Sequence, residues 1–116
     1  MKAYTDIEQS KKLAKILPIE SADMHYILMP DGAYNHFPLT GRKIELAEDT
    51  DIPCWSLASL LDVLPRVDIE KEICSDDTFD YRVKAYIGDG YIGEWFDNTV
   101  DACVEMIIKL NELNLL

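Results

Sequence analysis

No uninterrupted apolar run in the sequence approaches 18 residues, so no segment reads as a membrane-spanning helix. The opening stretch "MKAYTDIEQSKKLAKILP" is polar and periodic and lacks the apolar core of a signal peptide, which leads to the expectation of a cytoplasmic protein. Cysteine is sparse and unpatterned. Cys54, Cys74 and Cys103 are odd in number, far apart and without a CxxC, as thiols in a reducing compartment are. Together with His25 and His36 they make no zinc-ligand spacing, so no metal site is expected. Basic residues are also scarce, 11 against 22 acidic ones for a formal charge of −11, and Lys109 alone follows Lys84. That balance disfavours direct binding to nucleic acid or to an anionic membrane surface. Repeats and low-complexity tracts are missing as well.

What is present suits one small domain spanning residues 1–116. A chain of this length buries roughly two-thirds of the surface its unfolded form exposes. Its 48% hydrophobic content supports folding without metals or disulfides. Thr5 and Glu8 have capping-box spacing, Leu13, Ile16 and Leu17 share one helical face, and Pro18 ends that helix. Residues 24–29 and 33–37 read as a short hairpin around the "PDG" turn, and 42–51 reads as a connecting loop. A second helix is expected over 53–64, with Pro53 in its first turn and Pro65 beyond its end. "VDIEKEI" and "FDYRVKAYI" then alternate cleanly, and "GDG" turns the chain into "YIGEWF". Centring that turn on Asp89 pairs Val83 with Trp95, Ala85 with Gly93 and Lys84 with Glu94. A long final helix follows, capped by Asn98 or Thr99. The expected fold class is therefore α+β: helix, short β-hairpin, helix, three-stranded antiparallel meander and long C-terminal helix, with the helices on one sheet face.

The pair "CW" at 54–55 decides whether chemistry is in view. At about 100° per residue, Leu57, Leu60, Leu61 and Leu64 define a buried face. Cys54 falls at its edge, while Trp55 lies about 160° away beside Ser59 and Asp62. Cys54 is then a small core hydrophobe rather than a thiolate activated at a helix N-terminus, because no general base or nucleophile motif accompanies it. Trp55 has two readings, packing beneath the 39–51 loop or anchoring an interface. The final helix adds to the second. Its apolar residues cover more than half the circumference, which calls for two intramolecular contacts or for another chain. Trp55, Val104, Ile108 and Leu115 are thus the candidate interface residues, and a homodimer is one possible use.

Other motifs carry no reaction. "DDTFD" lacks EF-hand spacing, "GDGYIG" does not open a helix as a phosphate loop must, and no catalytic or cofactor-binding set is found. Asp68, Glu70 and Glu72 form an acidic strand face with carboxylates about 6.8 Å apart, the row a DNA mimic would use. Arg82 and Lys84 on the neighbouring strand's matching face would neutralise much of it. The stretches "KAYTDIEQSKKLAKILP", "IPCWSLASLLDVLP" and "VDACVEMIIKLNEL" together resemble a group of short proteins of gut Bacteroidetes, their phages and their mobile elements. No activity or catalytic residue comes with that resemblance. It implies a cytoplasmic setting and an accessory role linked to mobile DNA. "YRVKAYIGDGYIGEWFDNTVDACVEMI" is more loosely similar to HicB-type antitoxin domains in its strand–strand–helix order, without their glycine-and-proline stretch before the helix. The leading expectation is a non-enzymatic protein-binding or accessory module with a protein partner. An acidic inhibitor of a basic protein, or a small thiol enzyme using Cys54, are the alternatives.

Overall fold

A computed structural model describes residues 2–35, 37–40 and 51–116. In chain order it contains α1 (Ile7–Ala14), a 3-10 turn (Ile19–Ser21), β1 (Met24–Tyr26), β2 (Leu39–Thr40), β3 (Ile52–Cys54) and α2 (Leu57–Val63). Then come β4 (Val67–Ile73), β5 (Phe79–Ile87), β6 (Gly90–Ile92), β7 (Trp95–Phe96) and α3 (Thr99–Glu112). The strands form two antiparallel sheets, one ordered β2-β1-β3 and one ordered β4-β5-β6 with β7 also on β5. The class is α+β. The expected loop at 42–51 falls largely on residues outside those described, as does His36.

α1 starts one residue later than expected. Asp6 caps it, accepting from the Gln9 N–H at 2.8 Å, and the Gln9 side chain accepts from the Asp6 N–H at 3.1 Å. This is a capping box in which Asp6 and Gln9 replace Thr5 and Glu8. Thr5 is instead fully buried. Its N–H donates to the Trp55 carbonyl at 2.9 Å, and its Oγ1 accepts from the Trp55 N–H at 3.1 Å. Its carbonyl accepts from the Tyr26 hydroxyl at 2.7 Å, and its Oγ1 lies 2.8 Å from the buried Ser10 Oγ. The N-terminal segment is thereby stitched to β1, β3 and α1 at one residue.

The first hairpin keeps its turn and a Leu28–Tyr34 bridge, and its regular pairing lies further out. Gly32 takes φ +86°, and the Met29 N–H donates to Ala33 O at 2.7 Å, so the "PDG" turn forms. β1 then pairs with β2 on one side and with β3 on the other. Residues 52–54 are therefore a strand and not the start of a helix. Pro53 is tolerated because β3 is an edge strand, and Ser56 caps the shorter helix by accepting from the Ser59 N–H. The leucine face survives: Leu60 and Leu64 are buried, and Leu57 and Leu61 pack against the same core.

This strand decides between the two readings of Trp55 in favour of burial. The tryptophan follows β3 rather than sitting on a helix, so the helical rotation angle does not apply to it. It is 0% exposed and joins the core with Leu13, Leu17, Ala22 and Leu60. Its indole N–H donates to Ser21 Oγ at 2.9 Å, which removes the one polar cost of burying it.

The meander forms with its register moved by one. Gly88–Asp89 is a two-residue turn with φ +59° at Gly88, so Ile87 faces Gly90, Ala85 faces Ile92 and Arg82 faces Trp95. A one-residue change sends every side chain of the returning strand to the opposite face. Ile92 and Phe96 pack on the core, while Tyr91 and Trp95 lie on the outer face with Arg82. Continuous pairing would set Glu94 opposite the buried Val83. Instead the strand breaks at Gly93–Glu94, and Glu94 is exposed. Gly93 has φ +150°, and a Cβ there would come within 2.3 Å of the Val83 carbonyl oxygen.

α3 packs on β5 and β7 on one side and on α2 and α1 on the other. The wide apolar arc is accounted for by these two intramolecular contacts. Asn98 caps α3 by accepting from the Asp101 N–H at 2.8 Å. Asp101 also accepts from Lys2 Nζ at 2.8 Å and Gln9 Nε2 at 2.7 Å, which ties both ends of the chain together. Burial works against the Asp101 carboxylate. The bonds from Lys2, Asn98 and Gln9 outweigh it and hold the group below its ordinary 3.8.

Two outcomes follow from this packing. Thr5→Val leaves the Trp55 N–H and the Ser10 hydroxyl short of a partner in a dry site, and urea unfolding should show a loss of about 1–3 kcal/mol. Asp101 is held below its unfolded value, so its stabilisation is complete above about pH 4 and is lost as pH falls through the folded value. Asp101→Asn should therefore cost about 1 kcal/mol at pH 7, with the gap to the native chain in urea midpoints closing as pH falls below the ordinary 3.8.

Candidate protein-interaction site

The β4–β5 hairpin is longer than the helix that covers it. Its inner face begins at the base with Val67, Val83, Ala85 and Ile87, all packed in or against the main core. Further out the same face carries Ile69, Lys71 and Ile73 on β4, opposite Val83, Tyr81 and Phe79 on β5. Ile69 is 48% exposed, Ile73 71% and Phe79 41%. The hairpin thus continues past the body as an arm with one apolar face in water, and the molecule measures 48 × 36 × 22 Å. Lys71 Nζ sits 4.0 Å from the Phe79 ring centroid and covers part of that face.

The tip closes with a tight turn. The Cys74 carbonyl accepts from the Asp77 N–H at 3.1 Å, and the Cys74 N–H donates to the Thr78 carbonyl at 2.8 Å. Asp77 takes φ +65°, and Asp76 Oδ1 accepts from the Thr78 hydroxyl at 2.6 Å. Asp76 and Asp77 of "DDTFD" are turn residues, whereas Asp80 lies in β5.

The outer face of the same sheet is occupied by its own side chains. Glu70 accepts from Arg82 at 2.9 Å and lies 3.2 Å from Lys84 Nζ, and the Tyr86 hydroxyl donates to Asp68 at 2.6 Å. The bonds from Arg82 and Lys84 pull the Glu70 carboxyl below its usual range. Arg82 stacks 4.6 Å from the Trp95 centroid, and Lys84 lies 4.2 Å from that of Tyr91. Acid, base and aromatic rows are therefore matched across the base of the sheet. The match fails toward the tip. Glu72 stands directly opposite Asp80, acid against acid.

The residues singled out in the sequence do not meet on one surface. Trp55 and Val104 are buried, Ile108 is half-buried against the core, and Leu115 is 48% exposed beyond the end of α3. Of the acidic face, Asp68 and Glu70 are engaged by neighbours while Glu72 has only Asp80 across from it. Clean alternation reads as a half-buried strand throughout, so it does not mark the exposed arm as a site. The signal that could have found it is length: β5 runs nine residues, about 30 Å, against about 21 Å for the fourteen residues of α3.

None of the thiols is set up for attack. Cys54 is fully buried, its Sγ 3.4 Å from Thr5 Oγ1, and burial raises its pKa against the opposing hydrogen bonds of Thr5, Ser10 and Tyr26. Burial pushes Cys103 up to about 12. The half-buried Cys74 is raised first by its hydrogen bond to Asp80. Among the described residues no group of three or more His, Cys, Asp and Glu side chains is placed to hold a metal ion, and no helix is long and apolar enough to cross a membrane. A cleft between β6 and α3, lined by Ile92, Gly93, Glu94, Phe96, Glu105 and Lys109, opens where the strand breaks. Tyr91 lines it as well, so it brings two carboxylates, one amine and one phenol to its rim, with no cysteine, serine, threonine or histidine among them. No protein-family model, curated protein or solved structure matches the chain.

Native protein treated with iodoacetamide at pH 7 should be modified at Cys74 alone, more slowly than an unhindered thiol. Cys54 and Cys103 should react only after denaturation, as read by peptide mass spectrometry.

Proposed function

We propose that the protein is a protein-binding accessory module with no chemistry of its own, and that the β4–β5 arm receives its partner. The observation that carries this reading is the uncovered apolar face of Ile69, Ile73 and Phe79 on a hairpin held rigidly at its base. These side chains contribute little to the core, and neighbouring exposed apolar groups on one face favour association. The interface expected on Trp55 and Val104 loses its footing because both lie inside the chain. An accessory role also fits what the resemblance to short mobile-element proteins implies. The charge of −11 points to a partner that is basic where it docks. That keeps the acidic-inhibitor reading alive in a narrower form, with the tip carboxylates rather than the whole row as the attracting element.

Affinity purification of the tagged full chain from its native cells, with quantitative mass spectrometry, tests the reading. An Ile73→Glu, Phe79→Glu variant changes only exposed positions and should unfold at nearly the native urea concentration. The partner should be enriched at least tenfold on the native chain over the variant. Equal enrichment on both, or none on either, would refute the assignment.

A further inference from the structure

The arm offers an edge as well as a face. Among the described residues nothing pairs with the outer side of β4, the terminal strand of its sheet. The Cys74–Thr78 hydrogen bond fixes which backbone groups point where. In an antiparallel pair, residues alternate between exchanging bonds with the partner strand and facing away from it. Cys74 bonds inward, so Glu72, Glu70 and Asp68 do too. The N–H and C=O groups of Ile69, Lys71 and Ile73 consequently point away from β5, along the open edge. Their side chains lie on the apolar inner face, while Asp68, Glu70 and Glu72 lie on the acidic outer one.

Such an edge invites any extended chain unless its side chains discriminate. A second copy is a poor occupant. Antiparallel pairing of β4 with its own copy about a two-fold axis normal to the sheet sets Asp68, Glu70 and Glu72 beside the same three acids. Each chain also carries −11. Like charges directly opposite destabilise a strand pair. The complementary occupant alternates basic and apolar residues, with its cations beside the acids and its apolar side chains continuing the face of Ile69 and Ile73. Glu72 and Asp80, which face no cation among the described residues, would gain their counter-charges from it.

We propose that β4 is a docking edge for an extended protein segment of alternating basic and apolar residues, added as a further strand to the four-stranded sheet. This rests on the protein-binding reading and names both the site within the arm and the chemistry of the partner. Main-chain hydrogen bonds supply the affinity, and the alternation supplies the selectivity. The seven residues of β4 span about 23 Å, so a segment of similar length fills the edge.

The test uses the full chain and two fluorescent seven-residue peptides of identical composition, one alternating Lys and Val and one with the lysines and valines in separate blocks. Amide exchange is followed by NMR at Ile69, Lys71 and Ile73. The alternating peptide should slow exchange at all three amides at least tenfold and should bind more weakly as salt rises. The blocked peptide should do neither. Lys71→Pro removes an N–H that no ladder bond uses, so it should keep the native fold by circular dichroism and weaken the alternating peptide at least tenfold. Should that variant misfold, exchange in the native chain still decides the matter. Equal binding of both peptides, unchanged exchange at the three amides, or a dimer closed through β4 that shuts out the peptide would each overturn the proposal. If the edge fails while Ile73→Glu, Phe79→Glu still abolishes partner capture, the partner uses the face of the arm, and the broader reading stands.

Discussion

Thr5 carries the heaviest constraint in the molecule, because β1, β3 and α1 are all tied to the N-terminal segment through the polar atoms of that one buried residue. Its backbone and hydroxyl bind both main-chain groups of Trp55, its carbonyl binds the Tyr26 hydroxyl, and its Oγ1 lies beside Ser10. Each of these groups is out of water, where an unmade hydrogen bond costs more than a made one contributes. The N-terminal segment therefore cannot leave without stranding β1, β3 and the start of α1. Once it is in place, Trp55 is trapped between α1 and α2, and the Leu57 N–H finds the Ala3 carbonyl at 3.1 Å. Ser56 completes the junction by bonding to the Asp23 carboxylate through both its N–H and its hydroxyl. Core and caps close around one knot.

The second constraint is the length of a turn. Gly88 accepts a positive φ, and the two-residue turn it permits sets the register of everything after it. Trp95 and Tyr91 thereby reach the outer face, where Arg82 and Lys84 lie over their rings. The cost is Glu94, which the same register aims at the core. Gly93 resolves this by breaking the strand at a conformation that other residues rarely adopt. The cleft beside α3 is a by-product of the break.

Much of this was legible in the sequence wherever periodicity was long and unambiguous. The alternation of 67–73 and 79–87, the Asn98 cap and the leucine face of 57–64 all reappear, because each repeats often enough to specify a face. Short segments defeated the same reasoning. Three residues, Ile52–Cys54, have no measurable period, and Pro53 suits an edge strand as well as a helix start, so long-range pairing with β1 decided the matter. Helical rotation over 53–64 turns Cys54 inward and Trp55 outward, yet neither residue is helical and both are buried. The width of the apolar arc of α3 is plain in the sequence but allows two explanations. Only packing could show that α1 and α2 cover its far side. As for the site, a sequence reports which residues alternate and says nothing of where the covering helix stops.

That stopping point bears on function. Beyond Val83 the apolar side chains of the arm cover no core, and β-structure alone does not require them, since threonine serves a strand with less exposed hydrocarbon. Isoleucine at 69 and 73 and phenylalanine at 79 thus carry an aggregation risk that folding does not explain. The opposite face shows the complementary pattern: acids near the base are matched with cations and aromatics, whereas Glu72 and Asp80 near the tip are left facing each other. A surface built only for solubility would distribute charge to separate like from like. Both departures lie at the same end of the same two strands, one greasy and one acidic, with an open backbone edge between them. A basic, apolar, extended partner of the kind proposed would relieve all three at once.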